Sequence, residues 1–206
     1  MSRAAKIYDR QAIRQEPEWL VIVTVILGVA LGVFVLNRSL NATVAAPSNA
    51  LRYPAGWAEA TVEGATFAVE DRTNPPFGAR VSLHELPLRQ VLNDTQTLED
   101  AAAGWSITRG QGVEGYRVLG LNTATVNGRP AMQVEWAAFA NPPEGQVAGA
   151  LPAVLHGLDT LVTTTGDSAT GATAGGFQVL SFSSDQSGWD GTANVRQQLL
   201  RDWRVP

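Results

Sequence analysis

The stretch Tyr116 to Phe139, YRVLGLNTATVNGRPAMQVEWAAF, decides the fold. At its centre Asn127-Gly128 is the dipeptide that best tolerates the positive φ angles of a tight two-residue turn. The runs on either side, Tyr116 to Val126 and Pro130 to Phe139, are long enough for strands. In the second arm Met132, Val134 and Trp136 point one way and Gln133 and Glu135 the other, the period of two expected of a half-buried strand. The residues therefore predict a β-hairpin and, around it, an antiparallel sheet.

Working outward, similar signals recur. Thr66 to Asp71 places Phe67 and Val69 on one face. Ala79 to Glu85 sets Ala79, Val81 and Leu83 against Arg80, Ser82 and His84, with Asn74-Pro75-Pro76-Phe77-Gly78 as the loop between. Thr97-Leu98-Glu99-Asp100 resembles a capping box, and Leu98, Ala102 and Trp105 follow at helical spacing, so a helix is expected from about Leu98 to Thr108. Beyond the hairpin, Pro142-Pro143-Glu144-Gly145 breaks the pattern, and Val154 to Thr164 and Phe177 to Ser183 read as two further strands. The intervening Thr165 to Gly176 has no large apolar residue and reads as an excursion. A last helix, near Thr192 to Trp203, begins at an Asp190 or Thr192 cap and carries Val195, Leu199, Leu200 and Trp203 along one stripe. Strands and helices mix irregularly, which is the α+β class.

Toward the N-terminus, Trp19 to Leu36 (WLVIVTVILGVALGVFVL) is uninterruptedly apolar. As a helix it reaches about 27 Å, close to the hydrocarbon thickness of a bilayer, so a single transmembrane pass is expected. Arg3, Lys6, Arg10 and Arg14 precede the span, whereas only Arg38 and then Arg52 follow it. The positive-inside rule places the N-terminus in the cytoplasm and the rest outside. Trp19 suits an interfacial anchor. A cleaved signal peptide competes with this reading, since a basic stub, an apolar core and the small-residue run Ala42 to Ala46 are its ingredients. The length of the span and Pro47, directly after the favoured cut, weigh toward an uncleaved anchor. The expected organisation is a cytoplasmic stub (1–18), a transmembrane helix (19–37), a tether (38–52) and an extracytoplasmic domain (53–206), folded from near Tyr53-Pro54.

Composition narrows the chemistry. The 206 residues include no cysteine, which leaves the chain no disulfide, thiolate zinc or cysteine-ligated iron–sulfur site of its own. Of 15 basic and 19 acidic residues, four and three lie in the stub, so the remainder carries a net charge of −5. A mildly acidic domain does not suit nucleic acid. The two histidines, His84 and His156, would form a metal site only by converging with carboxylates such as Glu85 or Asp159, and their spacing does not require it. There is no Gly-x-Ser-x-Gly elbow, and Gly110-Gln111-Gly112 and Gly171 to Gly176 lack the phosphate-loop pattern. Neighbouring carboxylates such as Glu70-Asp71 and Glu99-Asp100 are explained by capping and solvation. No catalytic residue, metal or cofactor is expected, and an enzyme is not. Asn37-Arg38-Ser39, Asn41-Ala42-Thr43 and Asn93-Asp94-Thr95 match a glycosylation pattern that arises often by chance. Within the span, Gly28-Val29-Ala30-Leu31-Gly32 spaces two glycines so that a second helix can approach closely, and Gly28 and Gly32 are the expected helix-packing surface. Ile7, Tyr8, Ala12 and Ile13 would add one face of a short helix before Pro17.

Taken together, Tyr53-Pro54-Ala55-Gly56-Trp57, the Phe67-x-Val69-x-Asp71 strand, the helix leading into Trp105, the Val126-Asn127-Gly128-Arg129-Pro130-Ala131 hairpin, Val179-Leu180-Ser181-Phe182 and the terminal helix ending in Trp203 resemble the PsbP-like family. That family is named for an extrinsic subunit of photosystem II. The resemblance covers about Tyr53 to Val205. It implies a central antiparallel sheet with helices on its two sides and an accessory role on the outer face of a membrane complex. The chain departs from the namesake in carrying its own apolar helix, and no residues match the family's metal-binding positions. The resulting expectation is a non-catalytic accessory subunit of a bacterial membrane complex, photosynthetic or respiratory, whose partners are the bilayer and neighbouring subunits. A tethered module for a small ligand or peptide, using a pocket beside Thr165 to Gly176, is the alternative.

Overall fold

The computed structural model describes residues 18–40, 42–47, 50–73, 77–88, 90–91, 94–95, 97–142, 151–164 and 175–205. The stub, residues 74–76 of the expected loop and most of the expected excursion, 165–174, lie outside these. The chain divides into two compact units, 1–42 and 43–206.

Among the described residues the first unit contains one helix, α1 (Glu18–Leu40). Every residue from Trp19 to Leu36 is exposed, and the mean hydropathy of that window is 2.9. The helix is apolar around its whole circumference, unlike a surface helix with a polar face. Its one hydroxyl in this window, Thr24, donates to the Leu20 carbonyl at 2.8 Å, so it needs no outside partner.

The second unit is built on a seven-stranded antiparallel sheet, order β3-β4-β5-β11-β10-β9-β8. Its strands are β3 (Ala58–Glu59), β4 (Ala65–Glu70), β5 (Arg80–Pro87), β8 (Arg117–Val126), β9 (Arg129–Ala140), β10 (Ala153–Thr164) and β11 (Gly176–Asp185). The expected hairpin is β8–β9: Asn127 and Gly128 have φ of 51° and 80°, both left-handed, as a type I′ turn requires. Two small ribbons flank the sheet. In one, β1 (Thr43–Ala45) pairs with β2 (Arg52–Pro54); in the other, β6 (Gln90–Val91) pairs with β7 (Asp94–Thr95).

Chain order explains the layering. Residues 58–87 and 117–185 form two meanders joined through β5 and β11, so the chain must pass from β5 to β8, beyond β11, β10 and β9. At about 4.8 Å per strand that crossing is about 19 Å, and a 15-residue helix spans about 22 Å. Helix α2 (Leu98–Gly112) makes the crossing over one face of the sheet. Ala101 and Ala102 allow close approach to Met132, Val134, Leu161, Phe177 and Val179. On the opposite face Val81, Val126, Ala131, Val162, Leu180 and Phe182 meet Leu199 and Trp203 of the C-terminal segment. That segment is α3 (Ala193–Asp202) with its C-cap, Trp203. Alternation splits adjacent residues between the layers, Leu161 to one and Val162 to the other. The domain is thus an α+β sheet with helices on its two sides.

Several expectations are adjusted. The α2 helix runs four residues past Thr108, and its capping box is formed: Thr97 Oγ1 accepts from the Asp100 amide at 3.1 Å, and Asp100 accepts from the Thr97 amide at 3.2 Å. Thr192 is the N-cap of α3 but makes no capping bond with its side chain, which donates instead to the Trp189 carbonyl. Strand β5 is buried on both faces, Val81 through Leu83 and His84, because α2 covers the Ser82 and His84 side that alternation alone assigns to solvent. The stretch read as a tether contributes β1, and Leu51 is fully buried. Short polar-looking segments reveal nothing of the long-range apolar contacts that hold them.

Strand β10 offers a sharp test of the layering. A Cβ on Gly157 would lie 2.1 Å from the Trp136 ring, whereas one on Gly56 meets nothing within 4 Å. Gly157→Ala should cost about 1–3 kcal/mol through displacement of the indole, and Gly56→Ala well under 1 kcal/mol, as read by urea unfolding.

Candidate functional site

Two places on the chain carry features beyond ordinary packing. The first is α1. Gly28 and Gly32 lie one turn apart, and a Cβ on either would meet nothing within 4 Å, so the face they share is open to another helix. Trp19 sits at its beginning and is 60% exposed. The helix is long and apolar enough to cross a membrane.

The second is a polar cluster under α2. Asp159 of β10 is completely buried, in phase with Leu161, at a position where alternation calls for an apolar side chain. The Trp105 indole donates to Asp159 Oδ2 at 2.7 Å, and Arg109, one turn further along α2, brings Nη1 to 3.6 Å from the same oxygen. The Arg109 guanidinium lies 4.4 Å from the Trp136 ring centroid and 5.7 Å from that of Trp105. This shields the charge with two indoles. Asp159 Oδ1, Arg109 Nε and Trp136 Nε1 are buried without a hydrogen-bond partner among the described residues. Such a cluster is under-satisfied, and burial without partners is costly.

His84 belongs to the same cluster. Its ring is 4.9 Å from Trp105 and bonds Ser82 Oγ at 2.9 Å. Burial lowers its pKa first, and the Arg109 charge adds to this; a bond with the Gly64 backbone and the Asp159 charge oppose the shift. Tyr116, packed on Trp136 at 5.6 Å, has its hydroxyl pushed up by burial and by the Asp159 charge, against the Ser106 hydroxyl and Arg109.

His156 faces the other side of the sheet. It stacks on Trp189 at 3.9 Å and bonds Glu135 at 2.7 Å, and Arg196 covers Trp189 at 3.8 Å. The two histidines are thus separated by the sheet itself. Among the described residues no group of three or more His, Asp or Glu lies close enough to hold a metal ion. Beside α2, Leu86, Pro87, Ala101, Gly104, Trp105, Thr108 and Phe177 line an apolar cleft of about 140 Å³.

The sequence reading singles out Asp159 and Trp105 separately and misses Arg109 and Trp136 as their partners. One signal was available: a carboxylate in register with Leu161 inside an apolar strand. The pairing itself spans 54 residues and leaves no local mark.

With this geometry in view, the class of the domain follows from comparison. No protein-family model matches the chain, and no curated protein sequence does. Solved structures do. Cyanobacterial PsbP (CyanoP) from Synechocystis aligns with a TM-score of 0.50 at 16% identity, over 80% of this chain and 92% of that one. LpqN of Mycobacterium tuberculosis, described as involved in cell envelope biogenesis, aligns with a TM-score of 0.51 at 12% identity, over 76% and 82%. The domain has a PsbP-like fold, preceded by one apolar helix.

Two outcomes are expected at the cluster. Asp159→Ala leaves Arg109 buried without its counter-charge and should lower stability by about 3–5 kcal/mol, most of which returns when Arg109→Met is added, in denaturant titration. His84 has a lowered pKa in the folded state, so the unfolded chain binds the proton first. Its contribution is complete above about pH 6.5 and is lost as the pH falls below that value. His84→Gln should flatten the fall in melting temperature between pH 7.5 and 5.

Proposed function

We propose that the chain is a membrane-anchored, non-catalytic accessory module of the bacterial cell envelope, a subunit that stabilises or assembles a larger membrane complex. The observation that carries this reading is the union, in one chain, of a wholly apolar helix with a PsbP-like domain. The involvement of LpqN in cell envelope biogenesis supports it from a second direction. In this reading α1 spans the bilayer with its N-terminus in the cytoplasm, as the basic stub favours, and the sheet domain lies outside. Gly28 and Gly32 form the contact with a neighbouring helix, and Trp19 sets the depth. The domain's ionisable groups suit structure better than chemistry: Asp159 is held by Trp105 and Arg109, and His156 by Glu135. A photosynthetic or respiratory electron-transfer complex is the partner we favour, its redox centres belonging to other subunits.

The test is purification of the full-length protein from its native membrane in a mild detergent, with mass spectrometry and an absorption spectrum of the product. Stoichiometric membrane partners with haem, iron–sulfur or pigment absorption are expected. Gly28→Leu/Gly32→Leu should lower their recovery about fivefold, as loss of a contact worth about 1 kcal/mol would. A lone, colourless protein overturns the reading and redirects attention to ligands for the cleft beside Trp105.

A further inference from the structure

We infer that the outer edge of β8 pairs antiparallel with β8 of a second copy of this chain, about a two-fold axis through Thr123. This goes beyond the accessory role and rests only on the anchoring of the chain in a bilayer.

The two ends of the sheet are unlike. One is β3, two residues long; the other is β8, ten residues long and exposed at Arg117–Leu119, Leu121–Thr123 and Thr125. Three of its exposed side chains are aliphatic, Val118, Leu119 and Leu121. Edge strands are ordinarily protected from pairing by lysine, proline, inward charges or shortness. Strand β8 has no lysine and no proline; its one charge is Arg117 at the start, and its one irregularity is the register shift between Val118 and Gly120. The segment from Leu121 to Val126 is a regular, neutral edge.

The turn dictates which backbone groups this edge offers. In a two-residue hairpin the flanking residues, Val126 and Arg129, form a hydrogen-bonded pair. Alternation then directs the amides and carbonyls of Ala124 and Asn122 to β9 and turns those of Leu121, Thr123 and Thr125 outward. Among the described residues, these outward groups bond to no other element.

Those three residues complement themselves. With Thr123 opposite Thr123 of the second copy, Leu121 faces Thr125 and Thr125 faces Leu121, each as a hydrogen-bonded pair. All three side chains share the α2 side of the sheet, since Leu121 pairs with Val134 and Thr123 with Met132. The row is apolar or hydroxylic, which favours cross-strand contact, and no like charges oppose each other in it. Arg117 falls beyond the paired segment. A charged foreign strand would find nothing here to recognise, whereas an identical strand finds its own match. The contact is smaller than a stable soluble dimer needs, so it depends on chains concentrated in the plane of a bilayer.

The absence of cysteine makes the test clean. Thr123→Cys places one thiol in each chain at the axis, where opposed residues of a hydrogen-bonded pair have Cα atoms about 5.5 Å apart, within disulfide reach. Full-length Thr123→Cys in phosphatidylcholine vesicles, oxidised with copper phenanthroline, should run mainly as a dimer on a non-reducing gel. Leu121→Cys, out of line with itself, and Glu59→Cys on the other edge should each give about tenfold less. Adding Thr125→Pro to Thr123→Cys removes an outward amide but no β8–β9 bond and should return the protein to monomer. Cross-linking of Thr123→Cys no greater than that of Glu59→Cys, or undiminished by Thr125→Pro, overturns the proposal. Equal thermal unfolding of wild type and Thr123→Cys establishes that the domain reporting the result is folded.

Discussion

The structure depends on one crossing. Because β5 lies inside the sheet and β8 at its end, the chain between them must traverse β11, β10 and β9, and α2 is the element that does so. That passage converts a one-sided sheet into a two-sided core. It buries Ser82 and His84, which would otherwise face water, and brings Trp105 and Arg109 down onto Asp159. The small residues Ala101 and Ala102 set the helix close, and Gly157 leaves the space that Trp136 occupies. A buried carboxylate and guanidinium with partners still unfilled are a poor source of stability. Their contacts tie α2 to β10 at one point, through Trp105 and Arg109 on Asp159.

The second layer closes the other face by different means. Leu199 and Trp203 supply apolar area, the buried leucine alone contributing about 1.5–3 kcal/mol, while hydrogen bonds fix direction. The Trp203 indole donates to Gln178 Oε1 at 2.9 Å, and the Asn127 amide of the hairpin turn donates to the Trp203 carbonyl at 2.6 Å. The Arg204 amide reaches the Ala50 carbonyl at 2.8 Å, which draws the segment before β2 into the same core. The turn of the β8–β9 hairpin and the C-terminal segment of the chain are therefore one assembly.

Much of this was legible locally. The Asn127-Gly128 turn, the alternation of Met132, Val134 and Trp136, the capping box at Thr97 and the stripe ending in Trp203 all act over a few residues, and the structure has each of them. The candidate cluster was not legible in the same way. Asp159 departs from its strand's pattern, but its partners sit on a helix far away in sequence, and neither Arg109 nor Trp136 differs locally from a surface arginine or a core tryptophan. The β1–β2 ribbon was missed for a related reason: Leu51 belongs to no alternating run, and its burial comes from strands distant in sequence.

By itself the sequence determined the α+β class, the hairpin, the helix positions and an apolar segment long enough to cross a bilayer, because dihedral preference, alternation and hydropathy are properties of neighbouring residues. Only the tertiary structure decided the strand order, the side of the sheet on which α2 crosses, the separation of the two histidines and the identity of the exposed edge. Each of these is set by pairing and packing between residues far apart in the chain, and no local pattern encodes such a choice.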